Sequence, residues 1–537
     1  MAAGTRPWWA TGVLYEVYLR SFQDGNGDGI GDLAGLAARA DYLAGLGIRA
    51  IWITPFQPSP MADFGYDVAD YCGVDPRYGT LETFDAVLDG LRRRGIGTIV
   101  DFVPHHTSDS HPWFREARSS RASPRRDWYV WRDPAPGGGP PNNWLSQTDG
   151  PAWTLDPATG QYYLHSFLPQ QPSLNWRNPE VRRAMLDAMA FWLDRGVAGF
   201  RVDVMQGLLV DPGFRDDPPN PQWRDGDPGF MRLAAVNSSN QPDVLDIVAE
   251  MRSLMAAYPG DPVLIGEIYR PVETLVAYCG TPQSGLQMPT NFNLFSTPWR
   301  AEAILDLVTR YEAALPAGAW PNWVLGNHDI GRVATRIGLA QAGVAMLMLM
   351  TLRGTPTLYQ GDELGMEDVS VPPDRVRDPF ARFGAGRGRD PERAPLPWDE
   401  GPHAGFSTQA PWLPLPPPGR PRCAAEQARD PISLLSLTRR LIALRNREPA
   451  LSEGTWIGIS ADCGVLVYDR SHAGRTFRVV LNVTAAPARI AVPADSRAVL
   501  STHRINPPPV SDGSLALAPD EGVVLRLKRI TRSEWIG

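Results

Sequence analysis

Ala198-Gly199-Phe200-Arg201-Val202-Asp203-Val204-Met205-Gln206-Gly207 opens as a short apolar run and carries an arginine and an aspartate two residues apart. Side chains alternate along a strand, so Arg201 and Asp203 share one face. A charged pair on the inner face of a buried strand is costly to desolvate unless it is paired and used. Taken alone, the pair reads as a structural salt bridge at a strand end or as part of a working site. Three further apolar runs also end in acids, at Asp101, Glu267 and Asp329. That repetition predicts a chain organised to bring strand ends together.

Outward from this stretch, strand and helix patterns alternate. Strands are predicted at 13–19, 48–54, 96–103, 198–203, 263–267, 291–295 (the weakest), 323–329 and 355–359. Helical periodicity falls between them, at 33–47, 80–94, 180–195, 244–258, 301–315 and 333–351. Eight such strands with active residues at their carboxyl ends are the plan of a (β/α)8 TIM barrel. A doubly wound sheet is the alternative, but no glycine-rich phosphate turn supports it. Residues 107–176 are rich in Pro, Gly, Trp and Asp and break the alternation, so they read as a subdomain inserted after strand three. The barrel then comprises 1–106 and 177–448, with a Pro/Gly/Arg-rich excursion at 374–420 and a closing helix at 432–447. From 449 to 537 the runs are short, alternating and β-branched, which predicts a C-terminal all-β sandwich domain.

The 537 residues suffice for a large barrel and smaller satellites. A net charge of −7 gives no electrostatic footprint for nucleic acid. Four cysteines without CxxC spacing argue against structural zinc or a disulfide framework. Eighteen tryptophans suit either a large core or flat apolar ligand faces such as sugars. No apolar run reaches membrane-spanning length and the first residues lack a signal-peptide core, so a cytoplasmic protein without membrane contact is expected.

The loop after the first strand places Asp24, Asn26, Asp28, Ile30 and Asp32 at every second position, with glycines between them. Such spacing curls oxygen ligands around a hard cation, Asp24, Asn26, Asp28 and Asp32 by side chain and Ile30 by its carbonyl. Position twelve is Gly35, where an EF-hand needs a bidentate glutamate. The expectation is one structural ion, Ca²⁺ before Mg²⁺; a metal-free glycine turn is the alternative.

Acids at strand ends suit glycoside cleavage, which uses one carboxylate as nucleophile and a second carboxyl kept protonated. Asp101-Phe-Val-Pro-His-His106, Gly199-Phe-Arg-Val-Asp203, Gly266-Glu267 and Gly326-Asn-His328-Asp329 resemble the four ordered motifs of the α-amylase family of glycoside hydrolases. Gln171-Pro-Ser-Leu-Asn175-Trp and Arg389-Asp-Pro-Glu-Arg393 are similar to segments of its α-glucosidase and oligo-1,6-glucosidase branch. The resemblance implies Asp203 as nucleophile, Glu267 as general acid/base and Asp329 as a third acid gripping ring hydroxyls. It further implies that Asp67, His106, His328 and Arg393 bind the glucosyl unit and that Tyr66 floors it. Arg201 would hold Asp203 ionised.

The implied function is a retaining, exo-acting α-glucosidase that hydrolyses terminal α-1,4- or α-1,6-linked glucose from small α-glucosides and oligosaccharides, as a monomer or homodimer. A glucosyl-transferring or isomerising enzyme, trehalose synthase-like or sucrose-active, is the alternative on the same scaffold. His105 stands where the family usually has asparagine, and Ser173 where the branch usually has aspartate. Met205-Gln206-Gly207 is also not the commonest continuation after the nucleophile. Val204 follows Asp203 and is expected at the wall between glucose and leaving group, where in the branch this chain resembles valine tends to accompany α-1,6 cleavage; the alternative is a plain strand-end residue.

Overall fold

The computed structural model describes residues 6–528 apart from 385 and 420. In chain order the first strands are β1 (Leu14–Val17), β2 (Ala50–Ile53) and β3 (Gly97–Phe102). The inserted segment carries β4 (Trp131–Arg132), β5 (Trp153–Asp156) and β6 (Gln161–Leu164). Then follow β7 (Gly199–Val202), β8 (Val263–Ile268), β9 (Met288–Asn291), β10 (Asn322–Val324) and β11 (Thr355–Tyr359). Strands β1, β2, β3 and β7 to β11 close into one parallel barrel in sequential order, as predicted. Helices cover the outer face and side chains fill the interior, so these strands are buried on both faces instead of alternating.

Three local expectations are corrected. The sixth barrel strand lies at Met288–Asn291, not 291–295, because the Asn291 side chain accepts the Asn293 N–H and 293–296 turn helically. The helix read at 33–47 is two, Leu33–Ala38 and Ala40–Leu46, broken where Arg39 leaves helical geometry at φ −101° and ψ 9°. The helix read at 333–351 breaks at Gly338, whose φ of 87° few other residues adopt.

Register brings the charged residues together. Asp101 on β3 is level with Arg201 on β7, which is level with Ile265 on β8, two residues before Glu267. The insert folds as a three-stranded sheet in the order β4-β6-β5. A bridge from His106 to Ser173 ties it to the loop after β3, and one from Tyr129 to Leu174 closes the insert on itself.

At the C-terminus lie β12 (Thr455–Asp462), β13 (Val465–His472), β14 (Arg475–Asn482), β15 (Ala488–Ala491), β16 (Arg497–Ser501), β17 (Ser514–Leu517) and β18 (Gly522–Arg526). They form a five-stranded sheet, β12-β13-β14-β18-β16, and a β15-β17 pair. One hydrophobic core runs from the barrel helices through Leu347 to Tyr468 and Leu481 of this sheet. Across that seam the buried Arg470 guanidinium donates to the Thr351 carbonyl at 2.5 Å, satisfying an acceptor at the end of helix Ala342–Thr351. Among the described residues, no helix is long and apolar enough to cross a membrane.

Candidate active site

The carboxyl ends of β3, β7, β8 and β10 deliver Asp101, Asp203, Glu267 and Asp329 to one end of the barrel. At their centre is Arg201. Its Nη1 donates to Asp203 Oδ1 at 2.6 Å and to Asp101 Oδ1 at 3.1 Å. Its Nη2 lies 2.5 Å from Glu267 Oε1, a charge contact not aligned as a hydrogen bond. One guanidinium therefore faces three carboxylates, and its side chain is only 3% exposed. The Trp52 ring caps it, 4.8 Å from the guanidinium carbon.

The electrostatics separate the acids. Burial pushes Glu267 up to about 8, with Arg201 opposing. Burial also raises Asp203, to about 7, again against Arg201 and with Asp101 adding repulsion. Asp329 goes the other way: burial would raise it, but His328, Arg389 and Arg393 outweigh that and hold it below the usual carboxylate range. Arg393 Nη2 sits 2.7 Å and Arg389 Nη1 3.1 Å from Asp329 Oδ1. Burial thus favours keeping a proton on the Asp203–Glu267 pair, while Asp329 is held ionised by its cations.

The backbone just after Asp203 bends toward Glu267. Val204 sits at φ 45° and ψ 41°, a left-handed conformation costly for a β-branched residue. In that conformation its N–H donates to Glu267 Oε2 at 2.9 Å. Of the remaining residues expected here, His328 is fully buried between the rings of Tyr18 and Tyr66, each 5.4 Å from it by ring centroid. Its Nδ1 meets Glu16 at 2.6 Å and its Nε2 meets the Tyr66 hydroxyl at 2.8 Å. The Tyr66 hydroxyl also donates to Asp101 Oδ2 at 2.9 Å. His106 is buried, bonds the Tyr66 carbonyl at 2.8 Å, and is driven down to about 4 by burial, so it is neutral.

The carboxylate of Asp67, expected to bind the glucosyl unit, is engaged by its own loop. Asp67 is fully buried and spends its carboxylate on the Ser59 hydroxyl and on the N–H groups of Ala62 and Asp63, at 2.8 to 3.0 Å. It braces its loop. Asp63, four residues earlier, pairs with Arg389 at 2.6 Å. Asp63, Arg389, Glu16 and Tyr269 had not been placed in the site from sequence. Tyr269, two residues beyond Glu267, is 44% exposed and stacks on Phe292 at 4.1 Å, an aromatic face beside the acids.

In the glycine-rich loop, Asp24 Oδ1 and Asp32 Oδ2 both accept the Asn26 N–H, at 3.0 and 3.1 Å. Two carboxylates are thus held side by side, and burial together with Asp24 raises Asp32. Asp28 accepts the Ile30 N–H at 2.8 Å and the Asn26 side chain at 3.2 Å. The donors are all oxygen and suit a hard cation, although no ready cluster of three acidic, histidine or cysteine ligands occurs among the described residues.

The family model described as "Alpha amylase, catalytic domain" matches residues 16–454. The "Probable alpha-glucosidase" of Rhizobium meliloti (strain 1021) is 39% identical over 518 residues, 93% of each chain. The "Oligo-1,6-glucosidase" of Parageobacillus thermoglucosidasius is 34% identical over 520 residues, 89% of this chain and 90% of its own. The crystal structure of the alpha-glucosyl transfer enzyme XgtA superimposes with a TM-score of 0.93 at 40% identity, covering 98% of this chain and 100% of that one. With its acids gathered at the carboxyl ends of a closed barrel and this match over most of its length, the chain belongs to the alpha-amylase family of glycoside hydrolases.

Proposed function

We propose that the chain is a retaining, exo-acting α-glucosidase that releases terminal α-linked glucose from short oligosaccharides and glucosides. The observation that carries this reading is the single guanidinium of Arg201 set between Asp203 and Glu267, with Glu267 holding its proton to higher pH. Asp203 attacks the anomeric carbon while Glu267 gives its proton to the departing oxygen. Glu267 then takes a proton from water, which displaces Asp203. Asp329, Asp63, Arg389, Arg393, His106 and His328 hold the glucosyl ring, with Tyr66 beside it. NMR of the first product is the test: α-glucose is expected, and β-glucose first overturns the double displacement.

Exo-action rests on the walls. Arg387 pairs with Asp149 at 3.3 Å and Asp149 accepts the Phe230 N–H at 2.7 Å, joining the excursion, the insert and the loop after β7. Glucose release without rapid loss of starch–iodine colour is expected.

The proposal includes a structural Ca²⁺ held by Asp24, Asn26, Asp28, Asp32 and the Ile30 carbonyl. It also includes a cytoplasmic setting, which the free state of all four cysteines supports. Glucosyl transfer is the second reading, favoured by the likeness to XgtA. Incubation with maltose, isomaltose, sucrose and trehalose separates the two, because a transferase yields a new disaccharide and a hydrolase mainly glucose.

A further inference from the structure

His105, which stands where the family usually has asparagine, is buried with its ring against that of His106, a residue expected to hold the glucosyl unit. The fit is close. A Cβ on Gly207, four residues after Asp203, would come within 3.1 Å of His105 Cδ2, so the glycine leaves the room that this imidazole occupies. Two departures from the family pattern, His105 and the Met205-Gln206-Gly207 run, thus meet in one contact. The His105 carbonyl accepts the Leu174 N–H at 3.0 Å, and the Phe167 ring stands edge-on to the imidazole at 5.7 Å between centroids.

The contacts of the two rings fix where their protons lie. His105 Nδ1 meets His106 Nδ1 at 2.9 Å, and His106 Nε2 meets the Tyr66 carbonyl at 2.8 Å. Burial drives both imidazoles down, so each is neutral and carries a single N–H. A carbonyl oxygen can only accept, which puts the N–H of His106 at Nε2 and leaves its Nδ1 bare. That bare nitrogen accepts from His105 Nδ1, which therefore carries the proton of its own ring. His105 Nε2 is then the acceptor, and the Ser166 hydroxyl donates to it at 3.3 Å. Gln171 Nε2, 3.1 Å from His106 Nε2, is the one contact that favours the opposite assignment. That assignment would set a bare nitrogen against the Tyr66 carbonyl at 2.8 Å, and the Gln171 amide has Asp63 Oδ2 as its acceptor at 3.2 Å.

A neutral histidine donates or accepts at a given nitrogen according to its tautomer. With Nδ1 spent on His105, His106 can reach a sugar hydroxyl only through Nε2, and there it has a proton to give and no lone pair. We propose, on the α-glucosidase reading above, that His105 is a positioning residue that fixes His106 as a hydrogen-bond donor toward the glucosyl unit. Asparagine at 105 carries its amide nitrogen as many bonds from the backbone as His105 Nδ1, and leucine carries a methyl there.

The test combines long-range proton–nitrogen NMR of the full chain, labelled at histidine, with kinetics of His105→Leu and His105→Asn. Without substrate, His105 should show its proton at Nδ1 and His106 at Nε2. A wild-type His106 protonated at Nδ1 overturns the proposal, whether or not either variant folds. His105→Leu should raise KM for maltose about threefold to tenfold, the effect of one hydrogen bond, with kcat changed less, because the contact serves bound glucose before and during bond breaking. His105→Asn should restore the wild-type KM. An unchanged KM in His105→Leu, or equal losses in both variants, overturns the positioning role. Failure of the α-glucosidase reading looks different: no hydrolysis of maltose or isomaltose with both tautomers in place, which overturns the sugar contact of His106.

Discussion

Arg389 reaches Asp63 at 2.6 Å and Asp329 at 3.1 Å, so one side chain of the late excursion ties the loop after β2 to the third acid. Asp67, four residues later in the same loop, has no part in that tie. The two aspartates therefore fail differently. Asp63→Asn should lower kcat/KM on maltose by about 10²-fold, the scale of a misplaced reacting group, with a normal fold by circular dichroism. Asp67→Asn leaves an N–H of its loop without an acceptor, a loss of about 1 to 3 kcal/mol. It should lower the melting temperature with KM nearly unchanged. Reversal of the two phenotypes would return the sugar contact to Asp67.

Glu267 ties both activity and stability to its proton, so each declines as rising pH removes it. In the proposed mechanism turnover needs Asp203 ionised and Glu267 protonated, so activity should fall below about 7 and above about 8, a narrow bell of coupled values. For stability, Glu267 is raised from 4.5 to about 8 on folding, so between those values the folded chain holds more protons than the unfolded one. The sign of linkage then makes stability fall as pH rises through that window. Glu267→Gln cannot titrate. It should lose about 10² to 10⁴ in turnover on maltose and show a shallower decline in melting temperature from pH 5 to 8. An unchanged slope would show that other groups set it.

Removal of the ion proposed for the Asp24–Asp32 loop should act on the fold and leave the chemistry alone, because the loop's contacts run to the excursion through Ser407, not to the acids. A chelator should lower the melting temperature by linkage, and added Ca²⁺ should restore it. Initial rates below the lowered transition should stay the same. Immediate inactivation without a change in melting temperature would contradict a structural ion.

The strand-end acids were legible because each closes an apolar run, a pattern that a parallel barrel requires. Other parts of the site left no such mark. Glu16 lies in the middle of β1, where alternation makes it look like an ordinary outward polar residue, yet the closed barrel turns it inward to His328. Arg389 comes from a Pro/Gly/Arg-rich stretch without periodicity, and only tertiary folding brings it beside Asp329. Asp63 and Asp67 share one turn-rich loop, and the choice between them is made by which carboxylate that loop's own N–H groups capture. The weak sixth strand was expected to start three residues too late because Met288-Pro-Thr-Asn291 has little strand signal and the asparagines after it favour a turn.

The linkage preference expected of this chain rests on Val204, whose backbone and side chain have separate roles. Its N–H holds Glu267 Oε2 at 2.9 Å, and that direction depends on the left-handed backbone at φ 45°. Its side chain lies over Gly207, with no hydroxyl to offer a leaving sugar. Threonine is nearly isosteric and β-branched, so Val204→Thr keeps the same backbone cost and should leave the acid positioned. What changes is one hydroxyl at the wall, worth about 1 to 3 kcal/mol or 10- to 200-fold in discrimination. The wild type should hydrolyse isomaltose at least as well as maltose, and Val204→Thr should move the kcat/KM ratio toward maltose. Val204→Gly separates the two jobs, because glycine adopts φ 45° freely. It should raise the melting temperature if strain relief outweighs lost packing and should broaden linkage tolerance. Hydrolysis of maltose with isomaltose left untouched by the wild type would remove Val204 from linkage choice, leaving its N–H contact to Glu267 as its role.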